Sequence, residues 1–293
     1  MRIIRYKKES QLQLAAVTDH GDVYALPQGD YLSLQQEAEA KGITMLELIH
    51  AAINDQQSIA GGMEGLSLAV PIEAPEVWAA GVTYQRSREA RNYEATGGLA
   101  NALTFYDKVY DAERPEIFFK STAARTVGPG EDVQLRSDSR WQVPEPELGL
   151  VLGKGGTIIG YTIGNDMSCR DIEGENPLYL PQAKVWKRSC ALGPAIRLVE
   201  AVENPYDLQI ACRIYRNDEL VVEGTANTGQ LKRRLEELVS YLARDNELFE
   251  GTVLLTGTCI VPPDDFTLAA GDRIEIEIAG IGTLVNPVRD ADR

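Results

Sequence analysis

Val143-Pro-Glu-Pro-Glu-Leu-Gly-Leu-Val-Leu152 sets two carboxylates at alternate positions of a segment that otherwise reads as a buried β-strand. Alternation puts Glu145 and Glu147 on one face, where they repel each other. A wet face is the plain explanation, and a shared cation is the other. The residues that follow bear on the choice. Gly153-Lys-Gly-Gly156 reads as a four-residue loop and TIIGYTIGND as the returning strand of a hairpin. Pairing Leu152 with Thr157 sets Glu147 opposite Thr162 and Glu145 opposite Gly164, with Asp166 one diagonal step from Glu145 on the same face. Residues two apart along a strand are separated by roughly 6.5 to 7 Å and diagonal neighbours by about 7 to 8 Å, spans that carboxylates can close around one ion. Without a cation, three clustered acids raise one another's pKa values and weaken the fold; with one, repulsion becomes coordination. An all-oxygen set favours Mg²⁺ or Mn²⁺, is compatible with Ca²⁺ and disfavours Zn²⁺. Gly164 opposite Glu145 then leaves space above the ion for a ligand. The arrangement rests on the register, since a loop of odd length turns Asp166 to the other face.

The rest of the chain narrows the function classes. Its 293 residues, 44% of them hydrophobic, suffice for one large domain with a small partner. The 44 acidic residues against 29 basic ones give a formal charge of -15, a field that repels phosphate backbones and anionic membrane surfaces. Nucleic acid is therefore not an expected partner. No apolar run reaches membrane-spanning length and MRIIRYKKESQLQLAAVTD lacks a signal-peptide core, so the expected compartment is the cytoplasm. Cys169, Cys190, Cys212 and Cys259 are dispersed with no CxxC pair, which points to reduced, buried thiols rather than a zinc or redox motif. The two histidines, His20 and His50, fall in a turn and inside a helix, so histidine-based catalysis has no support.

Residues 1–70 read as a small α+β unit in which LQLAAV and DVYAL flank the turn Asp19-His20-Gly21, followed by two helical patterns, the second opened by a capping box from Thr44 to Glu47. Pro71 and Ala74-Pro75 mark a boundary, and residues 71–293 form a large, mostly β unit of short strands punctuated by glycine and proline. Leucine and valine at 231, 235, 238, 239 and 242 follow helical spacing and predict one amphipathic helix packed on the sheets. TVLLTGTCIV and DRIEIEIAGIGTLVNPV return to strands, the first apolar on both faces and the second alternating.

PEPELGLVL, then GYTIGNDMSCRDIE, then GIGTLVNPV resemble the fumarylacetoacetate hydrolase family over about residues 71 to 290. PEVW, VYDAERPEIFFK, RSDSRW and ENPLYLPQAK are similar to the branch of that family that dehydrates 2-keto-3-deoxy sugar acids, a likeness that runs through the N-terminal unit as well. The resemblance implies an α+β, mostly β fold, a mixed β-sandwich or β-roll with a small N-terminal domain. It implies Mg²⁺ on Glu145, Glu147 and Asp166 and a homo-oligomer built on dimers, a homodimer or homotetramer. The hydrolase branch commonly carries G-x-N-Y-x-x-H-x-x-E, whose His/Glu pair activates water; here Gly81-Val-Thr-Tyr-Gln-Arg-Ser-Arg-Glu-Ala90 puts Ser87 at the histidine position and Ala90 at the glutamate position. Serine without a neighbouring base is a poor substitute for imidazole. The implied reaction is therefore dehydration of a 2-keto-3-deoxy pentonate to 2,5-dioxopentanoate, with a small 2-keto acid as the substrate.

Lys184 matches a lysine carried through the family and is the first candidate for a base or enolate stabiliser near the metal, although a surface lysine is the plainer reading of that position. Glu116, isolated among apolar residues, is either a catalytic acid with a raised pKa or a paired structural carboxylate. Lys120 and Arg170 are candidates for holding substrate anions or for orienting the ligand carboxylates. Thr283 offers a hydroxyl to the substrate carboxylate, and Ser87, Arg88 and Tyr93 open a polar stretch running to Gly98 that reads as a lid. Two alternatives stand beside the dehydratase. One is a hydrolase of acylpyruvates or related 1,3-diketones, and the other a non-catalytic protein that binds a metal and a keto acid.

Overall fold

β-Branched and leucine-rich segments separated by glycine and proline give the chain eighteen strands among the residues that the computed structural model describes, 1–96 and 105–291. β1 (Arg2–Lys8), β2 (Gln11–Val17) and β3 (Val23–Leu26) form a meander, followed by α1 (Tyr31–Lys41) and α2 (Met45–Ile53). The Thr44 to Glu47 capping box is present at the start of α2, and Asp30 caps α1. The chain continues through β4 (Ser67–Ala69), β5 (Val77–Gly81), α3 (Gln85–Thr96), α4 (Phe105–Asp111), β6 (Glu116–Ser121), β7 (Thr126–Val127), β8 (Val133–Gln134) and β9 (Gln142–Val143). Next come β10 (Pro146–Leu152), β11 (Ile158–Asp166), β12 (Ser168–Cys169), α5 (Arg170–Glu175), α6 (Leu180–Lys184) and β13 (Cys190–Leu198). β14 (Gln209–Arg216), β15 (Glu219–Asn227), α7 (Leu235–Ala243), β16 (Val253–Leu255), β17 (Arg273–Ile278) and β18 (Gly282–Arg289) complete it.

The large sheet runs β3-β2-β1-β13-β11-β10-β16-β5-β6, with β4 on β1 and β7 on β13; the second runs β15-β14-β17-β18-β8. Both are mixed, because β7, β8 and β16 pair in parallel while their neighbours pair antiparallel. Leu148, Leu150 and Leu152 of β10 share one core with Ile274, Ile276 and Ile278 of β17, as the alternation of DRIEIEI requires, and with Leu235, Leu238 and Leu242 of α7. Val151, Val253 and Leu255 face the other way into a second core with Leu34 of α1 and Leu48 of α2. β1 pairs with β13, so strands from before residue 70 continue the sheet built after it. No described helix is long and apolar enough to cross a membrane.

Two local expectations differ from the structure. α7 starts at Leu235 rather than Leu231, because the Lys232 amide donates to the Thr83 carbonyl at 3.0 Å and holds the preceding residues extended. The β10–β11 hairpin is the second. Leu152 pairs with Ile158, not Thr157, so the connection has odd length and by itself turns Asp166 away from the glutamates. A bulge corrects this: Val151 pairs with Gly160, leaving Ile159 as one extra residue in β11. Beyond the bulge Glu147 faces Gly164, and the Asp166 amide donates to the Glu145 carbonyl at 3.0 Å. The expected register is thus off by two residues, an even number, and the three acids keep a common face. Gly164 lies opposite Glu147 rather than Glu145, and it opens no space for a ligand. A Cβ there would stand 2.3 Å from Leu255 Cδ2, so the leucine fills the gap.

Candidate metal centre

Glu145, Glu147 and Asp166 each offer a carboxylate oxygen within 4.8 Å of the others, and all three side chains are buried. Pro146 opens β10 between the two glutamates, where a missing N–H is tolerated at the first strand residue. The Glu145 amide, on the other side, donates to Asn165 Oδ1 at 3.3 Å.

Among the described residues three cations lie against the acids. Lys184, at the end of α6, donates to Glu145 Oε2 at 2.7 Å, Asp166 Oδ2 at 3.2 Å and Ser168 Oγ at 2.6 Å. Those bonds match an ammonium's three hydrogens and tie Lys184 to two of the three clustered carboxylates. Lys120 of β6, fully buried, lies 2.7 Å from Asp166 Oδ1 and donates to the carbonyls of Met167 at 2.8 Å and of Lys184. Arg170, the first residue of α5, pairs with Glu145 Oε1 at 2.9 Å. Lys120 and Arg170 thus each lie against a carboxylate of the trio.

Glu147 is treated differently. Among the described residues its hydrogen-bond donor is the Gly257 amide, 2.6 Å from Oε2. Burial, with the Asp166 and Glu145 charges adding to it, pushes its carboxyl well above the usual carboxylate range. Glu145, Glu147, Glu116, Glu173 and Lys184 line one narrow cleft together with Ser87, Phe118 and the chain from Ala80 to Val82. Glu116 reaches it because Gly81, its partner across β5 and β6, has no side chain: a Cβ there would lie 2.0 Å from Glu116 Oε2. The described ion pairs of Lys120, Lys184 and Arg170 go to Asp166 and Glu145, and none of them reaches Glu147. The oxygen-only donors of the trio suit a hard divalent cation. Carboxylate oxygens already bonded to an ammonium keep a lone pair for a metal. The residues fit magnesium.

The structure brings Ser87, Glu116 and Lys184 to the cleft with the three acids. Thr283 is not among them; it sits exposed on β18 opposite Glu277. Of the expected lid, α3 carries Ser87 in its first turn, while residues 97 and 98 lie outside the described residues. Glu173 is the residue that sequence reasoning missed. It is buried, one helical turn after Arg170 on α5, and the Arg170-Asp-Ile-Glu173 spacing was the available signal. His20 and His50 take no part in the cleft, and all four cysteines are buried free thiols.

The profile described as fumarylacetoacetate (FAA) hydrolase C-terminal matches residues 88–289. The 2-dehydro-3-deoxy-D-arabinonate dehydratase of Saccharolobus solfataricus is 41% identical over 293 residues, 99% of this chain and 96% of the relative. A probable 2-keto-3-deoxyxylonate dehydratase of Haloferax volcanii is 52% identical over 219 residues, 75% of this chain and 74% of the relative. A solved 2-keto-3-deoxy-D-arabinonate dehydratase complexed with magnesium and 2,5-dioxopentanoate superposes with a TM-score of 0.85 at 38% identity, covering 100% of both chains.

Proposed function

Because the chain belongs to the fumarylacetoacetate hydrolase family, we propose that it is a magnesium-dependent hydro-lyase that converts a 2-keto-3-deoxy pentonate into 2,5-dioxopentanoate and water. The observation that carries this reading is the buried trio of carboxylates opening on a cleft that also holds Glu116, Glu173 and Ser87. Ser87 at the position of the hydrolases' histidine supports dehydration over hydrolysis.

Magnesium bound by Glu145, Glu147 and Asp166 supplies Lewis-acid polarisation of the substrate's keto oxygen, which acidifies the C3 protons. Lys184, Lys120 and Arg170 hold the ligand carboxylates in place. Glu116 takes a proton from C3 and, as the acid so formed, returns it to the departing C4 hydroxyl, which leaves as water. Glu173 and Ser87 hold the hydroxyl groups of the sugar chain. The C3=C4 alkene then becomes the aldehyde as one proton moves from C5 to C3 and another from the C5 hydroxyl to C4. We read residues 1–70 as a small unit attached to the catalytic 71–293 through the β1–β13 pairing, and the active form as a cytoplasmic homodimer or homotetramer.

The test is to incubate purified protein and Mg²⁺ with 2-keto-3-deoxy-D-arabinonate and, separately, with acetylpyruvate. Aldehyde from the first and no acetate from the second is expected. Glu116→Gln should lower turnover by about 10²- to 10⁴-fold. Acetate with no aldehyde would make the chain a hydrolase.

A further inference from the structure

Glu147 is held by a peptide bond that is itself held at its other end. The Gly257 amide donates to Glu147 Oε2 at 2.6 Å, while the carbonyl of the same peptide unit, that of Thr256, accepts from Thr83 Oγ1 at 2.7 Å. Both bonds are buried, and Thr83 is 1% exposed. Thr256 is fixed further by its amide and its hydroxyl, each donating to the Leu148 carbonyl at 3.0 Å, one residue beyond Glu147 in β10. Gly257 has a φ of +94°, and a Cβ there would fall 2.0 Å from Thr83 Oγ1 and 2.9 Å from the Ala80 carbonyl. The bare glycine lets Thr83 approach its peptide. Thr83 is anchored in turn through its carbonyl, which accepts from the Lys232 amide at 3.0 Å.

We propose that Thr83 is a positioning residue for the metal: through the Thr256–Gly257 peptide it fixes the orientation in which Glu147 presents its carboxylate to the cation. Hydrogen bonds in series polarise one another, so a donor on the carbonyl strengthens the N–H bond at the opposite end of the amide. It also stops the peptide plane from turning its N–H away from the carboxylate. None of the described hydrogen bonds of Thr83 goes to the three acids, and it reaches Glu147 through this peptide plane. The inference rests on the reading that Glu145, Glu147 and Asp166 bind magnesium.

The experiment is a calorimetric Mg²⁺ titration of the substrate-free protein for the parent, Thr83→Val and Thr83→Ser, alongside metal-free thermal melting of each. Valine keeps the shape and removes the donor; serine keeps the donor. The dissociation constant of Thr83→Val should rise about tenfold or more, the range of lost outer contacts to metal ligands, with Thr83→Ser staying within about twofold of the parent. A Thr83→Val chain that melts lower yet binds Mg²⁺ like the parent would make Thr83 merely structural and overturn the proposal. If valine prevents folding, Thr83→Ala is compared with Thr83→Ser in the same titration, and equal affinities overturn it as well. A parent that binds no Mg²⁺ rejects the metal reading itself, a result distinct from either.

Discussion

Glu147→Gln separates the metal's contribution from the fold's. The ligand oxygens of the three acids lie within 4.8 Å of one another, a distance at which two like charges repel by about 3.5 kcal/mol at an effective dielectric constant of about 20. Glu147 belongs to two such pairs, and the nearby Lys184 ammonium offsets only part of the repulsion. The substituted side chain is nearly isosteric and its carbonyl oxygen can still accept from the Gly257 amide, so the metal-free variant should melt at or above the parent temperature. Magnesium at a hundredfold excess over its dissociation constant adds about 2.7 kcal/mol to a chain that binds it only when folded. In a chain of this size that raises the melting midpoint by about 5 °C. The parent should show this rise on adding Mg²⁺ and the variant should not, and the variant should have lost turnover. Differential scanning fluorimetry with and without EDTA, paired with the aldehyde assay, reads both effects. A variant that keeps the magnesium-induced rise, or that turns over at unchanged Mg²⁺ dependence, refutes the assignment of Glu147 as a ligand.

Lys184→Met leaves Glu145 and Asp166 short of a buried counter-charge and should cost about 3 to 5 kcal/mol by urea unfolding without metal, most of the deficit shrinking when Asp166→Asn is added. Gly164→Ala should destabilise by about 1 to 3 kcal/mol through overlap with Leu255, and Leu255→Ala in the same chain should relieve that overlap; strictly additive losses would show that the two do not touch. Burial pushes the Cys212 thiol up to about 12, above its unfolded value near 9.0, so its contribution to stability is full below pH 9 and is lost as the pH rises towards 12. Cys212→Ala should therefore flatten the urea midpoint against pH between 9 and 11, and parallel curves would count against it.

The acids were legible because strand periodicity is a property of sequence alone: Glu145 and Glu147 share a face whatever surrounds them. Asp166 was harder, since its face depends on both the length of the connection and the bulge at Ile159, and neither leaves a pattern in the letters. The burial of Lys120 was not legible, because a lysine goes inside only with a partner, here Asp166 and two backbone carbonyls supplied by distant segments. Glu173 carried a readable signal, one helical turn from Arg170, but it lies on a helix of six residues, too short to announce itself by periodicity. Gly257 could not be singled out among 26 glycines, since its role lies in a positive φ and in the side chain packed against it. Where Thr283 sits was not legible, because a hydroxyl near a recognisable motif says nothing of the direction in which its strand faces.

The extra Ile159 has a consequence for how this hairpin tolerates change in length. Connection and bulge act as one counter: removing a single residue from 153–157 without also losing the bulge would send Asp166 to the opposite surface of its sheet, with Lys120 and Lys184 left to face an uncharged neighbour. Deletions here should survive in pairs, or singly only where the strand straightens. A library of one- and two-residue deletions scored for magnesium binding would show that odd–even alternation directly.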